Sequence, residues 1–90
     1  MSRFLCKIID TFWMETIGLI VATDAKAADV CLSVGEPVEL RRPDGSRLET
    51  EVAAIPRVRP RNPEQSFDFL LPRSVRKGDV PVGTEVWAAE

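Results

Sequence analysis

Apolar residues return along this chain at every second position. Phe4, Cys6 and Ile8 would share one face, as would Val38 with Leu40, Leu48 with Val52, and Phe67 with Phe69 and Leu71. A period of two sends alternate side chains to opposite faces of a strand, whereas a helix would repeat at about 3.6. The branched residues Ile17, Ile20 and Val21 point the same way, because their side-chain torsions are restricted in helices and fit a pleated surface. Only residues 24–30, with their alanines, leave room for a short helical turn or an irregular connection.

Turn chemistry divides the pattern into short strands. Pro43-Asp-Gly-Ser46 lies between 38–42 and 47–52, and it predicts a tight hairpin: proline presets one turn angle and Gly45 supplies a positive φ. The strand after it is expected to run from Arg47 to about Ile55 or Val58, weakening at Pro56, which has no N–H to give a ladder. Near the end of the chain, Asp79 is placed to cap a single helical turn starting at Val80, with Pro81 suited to that turn and Gly83 ending it. A closing strand, 84–88, follows. Gly83→Ala is expected to lower the melting temperature more than Gly45→Ala, since Gly83 sits where a barrel would close. Six or so short strands separated by turns predict an all-β domain, a small closed six- or seven-stranded barrel spanning 1–90, because closure removes exposed edges.

Ninety residues make a single domain able to bury a core without disulfides or metal. A hydrophobic share of 44% and a charged share of 29% are ordinary for a soluble globular chain, and a net charge of −2 gives no global attraction to nucleic acid or anionic membrane. Lys7, Asp10 and Glu15 interrupt the apolar stretch 4–21, so neither a transmembrane helix nor a signal-peptide core is read there, and the expected compartment is cytoplasmic. Cys6 and Cys31 stand far apart, which fits reduced packing residues better than a disulfide scaffold or a zinc knuckle.

The chain has no histidine. Serine and cysteine nucleophiles therefore lack their usual base, and a mixed Cys/His zinc site is impossible. Glu49 and Glu51 share one face of a strand, where solvated charge explains them without acid–base catalysis. No Gly-x-x-x-x-Gly-Lys-Ser/Thr segment occurs, and Lys77-Gly78 has the reverse order. No nucleotide hydrolysis, catalytic residue, metal or cofactor is expected of this chain alone.

Three segments carry a resemblance. Asp10-Thr-Phe12, Thr16-Ile-Gly18-Leu and Ile20-Val-Ala-Thr23 keep the spacing of an opening strand, a glycine loop and a second strand; Leu32-Ser-Val-Gly-Glu-Pro-Val-Glu-Leu40 carries an apolar-x-Val-Gly-acid pattern; and 66–87 carries an apolar strand followed by an Asp-Val-x-x-Gly turn. In this the chain resembles the second domain, a β-barrel, of translational GTPases such as elongation factor Tu. Thr16 and Ile17 stand where that family has a glycine and an arginine, so contacts made through that arginine do not carry over. The resemblance implies a non-catalytic binding module whose relatives use this domain to position RNA ends or to contact the ribosome.

Two surfaces are candidates for such binding. Arg57, Arg59 and Arg61 alternate along a proline-punctuated loop, and Arg73, Arg76 and Lys77 form a second basic cluster; both could meet phosphates or carboxylates of RNA, the ribosome or an acidic partner. The alternative is a solvated loop whose arginines pair with Glu64, Glu49 or Glu51. Phe12-Trp13-Met14 is expected at the rim between the first two strands, where it would suit a protein partner. In the alternative, Trp13 plugs one end of the barrel and Trp87 packs on the opposite wall. A protein-interaction adaptor without RNA binding is the competing function, and no membrane partner is expected.

Overall fold

The computed structural model describes residues 2–26, 29–30, 32–55 and 66–89. The strands are β1 (Arg3–Met14), β2 (Gly18–Lys26), β3 (Pro37–Arg41), β4 (Arg47–Glu51), β5 (Ser66–Leu71) and β6 (Glu85–Ala88), with one 3₁₀ turn, Lys77–Asp79, before β6. They form one antiparallel six-stranded sheet in the order β4-β3-β6-β1-β2-β5, curled into a half-barrel. The fold is all-β, as the alternation predicts.

The last strand of the chain is central. β6 pairs with β1 on one side and β3 on the other, so the final residues hold together two halves built earlier in the sequence. The sheet's edge strands, β4 and β5, do not form a continuous ladder. They meet just beyond β4 at one antiparallel bridge between Ala54 and Leu70, where Ala53 N–H donates to the Leu70 carbonyl and Leu70 N–H to that of Ala54, both at 2.8 Å. Instead of the closed barrel expected from sequence, the described residues form a half-barrel with its seam joined at one point.

β1 is long because it serves both β6 and β2, and it bends twice to do so. Its register shifts between Phe4 and Cys6 against β6, and between Ile8 and Asp10 against β2. Each extra residue turns the following side chains to the other face. Cys6 and Ile8 are therefore buried, but Phe4, expected beside them, is exposed, as is Ile9.

The predicted hairpin forms as its turn residues dictate. Gly45 takes φ +91°, and Asp44 Oδ1 accepts from the N–H of Ser46 at 2.9 Å and from its hydroxyl at 2.6 Å. The closing turn differs from expectation. Asp79 ends the 3₁₀ turn rather than starting a later one, and its carboxylate accepts the Arg76 N–H at 3.0 Å; an aspartate caps whichever free N–H lies within reach, here the one three residues before it. Gly83 then occupies the third position of a turn closed by Thr84 N–H to the Pro81 carbonyl, at φ +96°, and hands the chain to β1 through a 2.9 Å bond from its N–H to Ile8.

The concave face holds the core. Phe69, Ile8, Leu19, Leu40, Leu71 and a set of valines are fully buried, and the faces predicted for 38–40 and 67–71 are the ones that point inward. Thr23 is the fully buried polar group that ties strands together: its hydroxyl donates to the Phe67 carbonyl at 2.6 Å, joining β2 to β5.

Candidate functional site

The end of β1 and the turn after β5 lie more than fifty residues apart in sequence, yet they meet at one end of the half-barrel. β1 passes into β2 through the turn 15–17, closed by Ile17 N–H to Met14 at 3.2 Å. Gly18 opens β2 opposite Met14, and Leu19 lies between Trp13 of β1 and Leu71 of β5. That register carries the end of β5 to the tip of the first hairpin. Arg73 then donates from Nη2 to the Glu15 carbonyl at 3.0 Å, and the Arg76 guanidinium lies over the Trp13 ring, 5.1 Å from its centroid.

The two candidate surfaces read from sequence are therefore partly one. Trp13 is half-buried and packs against the core, so it belongs to the barrel end, with Arg76 as its outer cover. Phe12 and Met14 flank it from the opposite face of β1 and are exposed. Lys77 is exposed beside Arg76 in the chain. A guanidinium on an aromatic face is pre-oriented while most of its N–H donors remain available to an acceptor. Arg57, Arg59 and Arg61 lie outside the described residues.

Sequence reasoning missed how far the apolar surface extends. Phe12 is opposite Ile20, Ile20 opposite Leu70, and Leu70 opposite Ala54. These four residues align in one row, from exposed Phe12 through half-buried Ile20 to buried Leu70 and half-buried Ala54; Ile17, in the hairpin turn, is also exposed. Ile20 was visible as an apolar residue, but only strand register could align it with Phe12.

Trp87 is found elsewhere than expected. In β6 Val86 and Ala88 point inward, which puts Trp87 on the convex face rather than on the inner wall. There it meets Phe4 edge-on, with ring centroids 5.5 Å apart, and carries the Arg41 guanidinium 3.8 Å above its ring. Arg41 is also bound to Glu39 and to the Ser2 hydroxyl, and the indole N–H is given to Glu85 at 3.0 Å. With those donors engaged, this cluster braces β1, β6 and β3.

Burial shifts two of the described ionisable groups. Cys6 is buried, and desolvation raises its thiol to about 11, opposed by the hydrogen bond with the Thr23 hydroxyl and reinforced by the Asp24 charge. Burial likewise raises the Asp68 carboxyl, opposed by its hydrogen bond from Ser66. Among the described residues no group of Cys, Asp and Glu could hold a metal ion, and no helix is long and apolar enough to cross a membrane. Comparison with family models, curated proteins and solved structures finds no match to this chain.

Proposed function

We propose that this chain is a non-catalytic binding module built on a barrel of the translation-factor type, contacting RNA or the ribosome through its basic residues. The observation that carries the reading is the Arg76 guanidinium over Trp13, with Arg73 held at the neighbouring hairpin and Lys77 beside them. Basic groups gathered at one end of the half-barrel suit a single strand, whose phosphates take the charge. Attraction is local, because the chain as a whole carries −2. Arg57, Arg59 and Arg61 add to this charge in the reading from sequence, and the protein is cytoplasmic.

Titration of a labelled single-stranded RNA, and of ribosomes, at low and moderate salt tests the proposal. Affinity should fall steeply with salt, and the triple change Arg73→Gln, Arg76→Gln, Lys77→Gln should reduce the logarithmic salt slope by about 0.7 for each phosphate contact removed. Salt-insensitive binding, or a slope that the triple variant leaves unchanged, would overturn it.

Exposed Phe12, at the end of an apolar row that runs through half-buried Ile20 to buried Leu70, favours a second reading, an adaptor that binds protein without RNA. Capture of a protein that survives moderate salt and is lost in Phe12→Ser, with no RNA binding at low salt, would select it.

A further inference from the structure

The open seam of the half-barrel leaves one strand with an edge that no described residue pairs. Val52 gives its N–H to Glu36 and accepts from Gly35, while Ser46 accepts from Arg42. Both residues thus turn their backbone groups toward β3. Alternation along an antiparallel strand makes Leu48 and Thr50 do the same, opposite Leu40 and Val38, and turns the N–H and C=O groups of Arg47, Glu49 and Glu51 outward. That outward edge faces a groove of about 480 Å³ lined by Pro37, Glu49, Thr50, Glu51, Pro72 and Ser74. The far wall lies just beyond β5, and the seam itself closes only past the groove, at Ala54.

We propose that this groove accepts an extended basic peptide, which adds to the edge of β4 as an antiparallel strand. The choice of occupant rests on charge and on the alternation of faces. Glu49 and Glu51 are exposed, and neither is ion-paired with a described residue. Arg47 lies 3.9 Å from Glu39. A guest residue directly opposite Glu49 or Glu51 exchanges both backbone hydrogen bonds with it and puts its side chain on the same convex face, where opposite charges attract across strands. The residues between them turn to the concave side, toward half-buried Thr50 and Leu48, the latter packed on the core. Read from its N-terminus, the guest therefore pairs with Glu51, Glu49 and Arg47 in turn, which selects basic-apolar-basic-apolar-acidic. Pairing through main-chain bonds with alternate side chains setting specificity is the general mode of strand addition.

The test uses the unmodified protein and a labelled, end-capped peptide, Lys-Val-Lys-Val-Asp, read by fluorescence anisotropy. The reversed peptide, Asp-Val-Lys-Val-Lys, has the same composition and charge but the wrong register, and should bind about tenfold more weakly or worse. N-methylation of the two lysines removes the donors given to β4 and should abolish binding, whereas N-methylation of the two valines should leave it nearly intact. The double change Glu49→Lys, Glu51→Lys lies on an exposed face and should weaken the forward peptide about tenfold or more while leaving thermal unfolding unchanged. Equal binding of forward and reversed peptides, equal loss from either methylation pattern, or no binding at millimolar peptide would overturn the proposal. So would self-association of the protein alone that the Glu49 and Glu51 variant abolishes, since the edge would then belong to a second copy.

Discussion

Gly18→Ala is the substitution that most directly probes how the first hairpin seats against the end of β5. Gly18 adopts φ +106°, a region where an L side chain costs about 1–2 kcal/mol. Part of that is offset by the smaller entropy of the unfolded alanine chain, about 0.4–1 kcal/mol. A second cost is specific to the site. A Cβ at Gly18 would lie 3.2 Å from the Leu71 carbonyl oxygen and 3.3 Å from Arg73 Cγ. The carbonyl belongs to a residue paired with Leu19 and cannot swing aside without disturbing the β2–β5 ladder. Crowding of this kind costs about 1–3 kcal/mol.

Gly45→Ala isolates the first cost from the second. Gly45 has φ +91°, and a Cβ there would meet nothing within 4 Å. The difference between the two variants should thus be about 1–3 kcal/mol, read as a melting temperature lower for Gly18→Ala by roughly 4–8 °C per kcal/mol in a domain of this size. Thermal unfolding followed by circular dichroism under identical buffer measures it. Equal shifts for the two variants would refute the claim that close approach, rather than backbone conformation alone, requires glycine at position 18. Gly83→Ala falls with Gly45, because its Cβ would make only an ordinary 3.5 Å contact with Pro43. The melting order expected from sequence, Gly83 beyond Gly45, gives way to one led by Gly18.

Thr23→Val keeps the shape of the side chain but removes the donor to the Phe67 carbonyl; with that acceptor left unpaired in the core, chemical denaturation should show a loss of about 1–3 kcal/mol. Cys6 should be unreactive toward a thiol reagent in the native state and react only on unfolding, because burial lifts its pKa from 9.0 to about 11. The same shift fixes the sign of a pH effect: the unfolded thiol ionises first and binds fewer protons, so its contribution is fully present below pH 9.0 and is lost as pH rises through about 11. A Cys6→Ala variant should lack that alkaline decline, and an identical pH profile in variant and parent would contradict the assignment.

What was legible in the sequence was local. The hairpin at 43–46 could be read because proline, aspartate and glycine each meet a demand of the turn itself, and the inward faces of β3 and β5 because their alternation is unbroken. The face of Phe4 could not, since a bulge is a property of two strands together: nothing in residues 3–14 states that the strand must bend to serve both β6 and β2. Trp87 went astray for another reason. Its large apolar ring argued for the interior, but its place in β6 is set by Val86 and Ala88, and a ring that can take an arginine on its face and give its N–H to a glutamate is stable on a surface. The candidate site was legible as pieces only. Arg76 and Trp13 are brought together by the β1–β2–β5 register, which no short motif encodes.

That register also explains why two distinct surfaces share one turn. The residues after β5 are held by Val75, whose N–H returns to the Pro72 carbonyl at 2.9 Å and whose side chain is buried. Pro72 and Ser74 line the groove beside β4, while Arg73 between them reaches the first hairpin. Successive residues of one anchored turn thus contribute to an acidic groove on one side and a basic surface on the other. The sign of charge reverses across it within three residues, in a chain carrying only −2 overall. The buried Val75 side chain anchors this turn between the two surfaces.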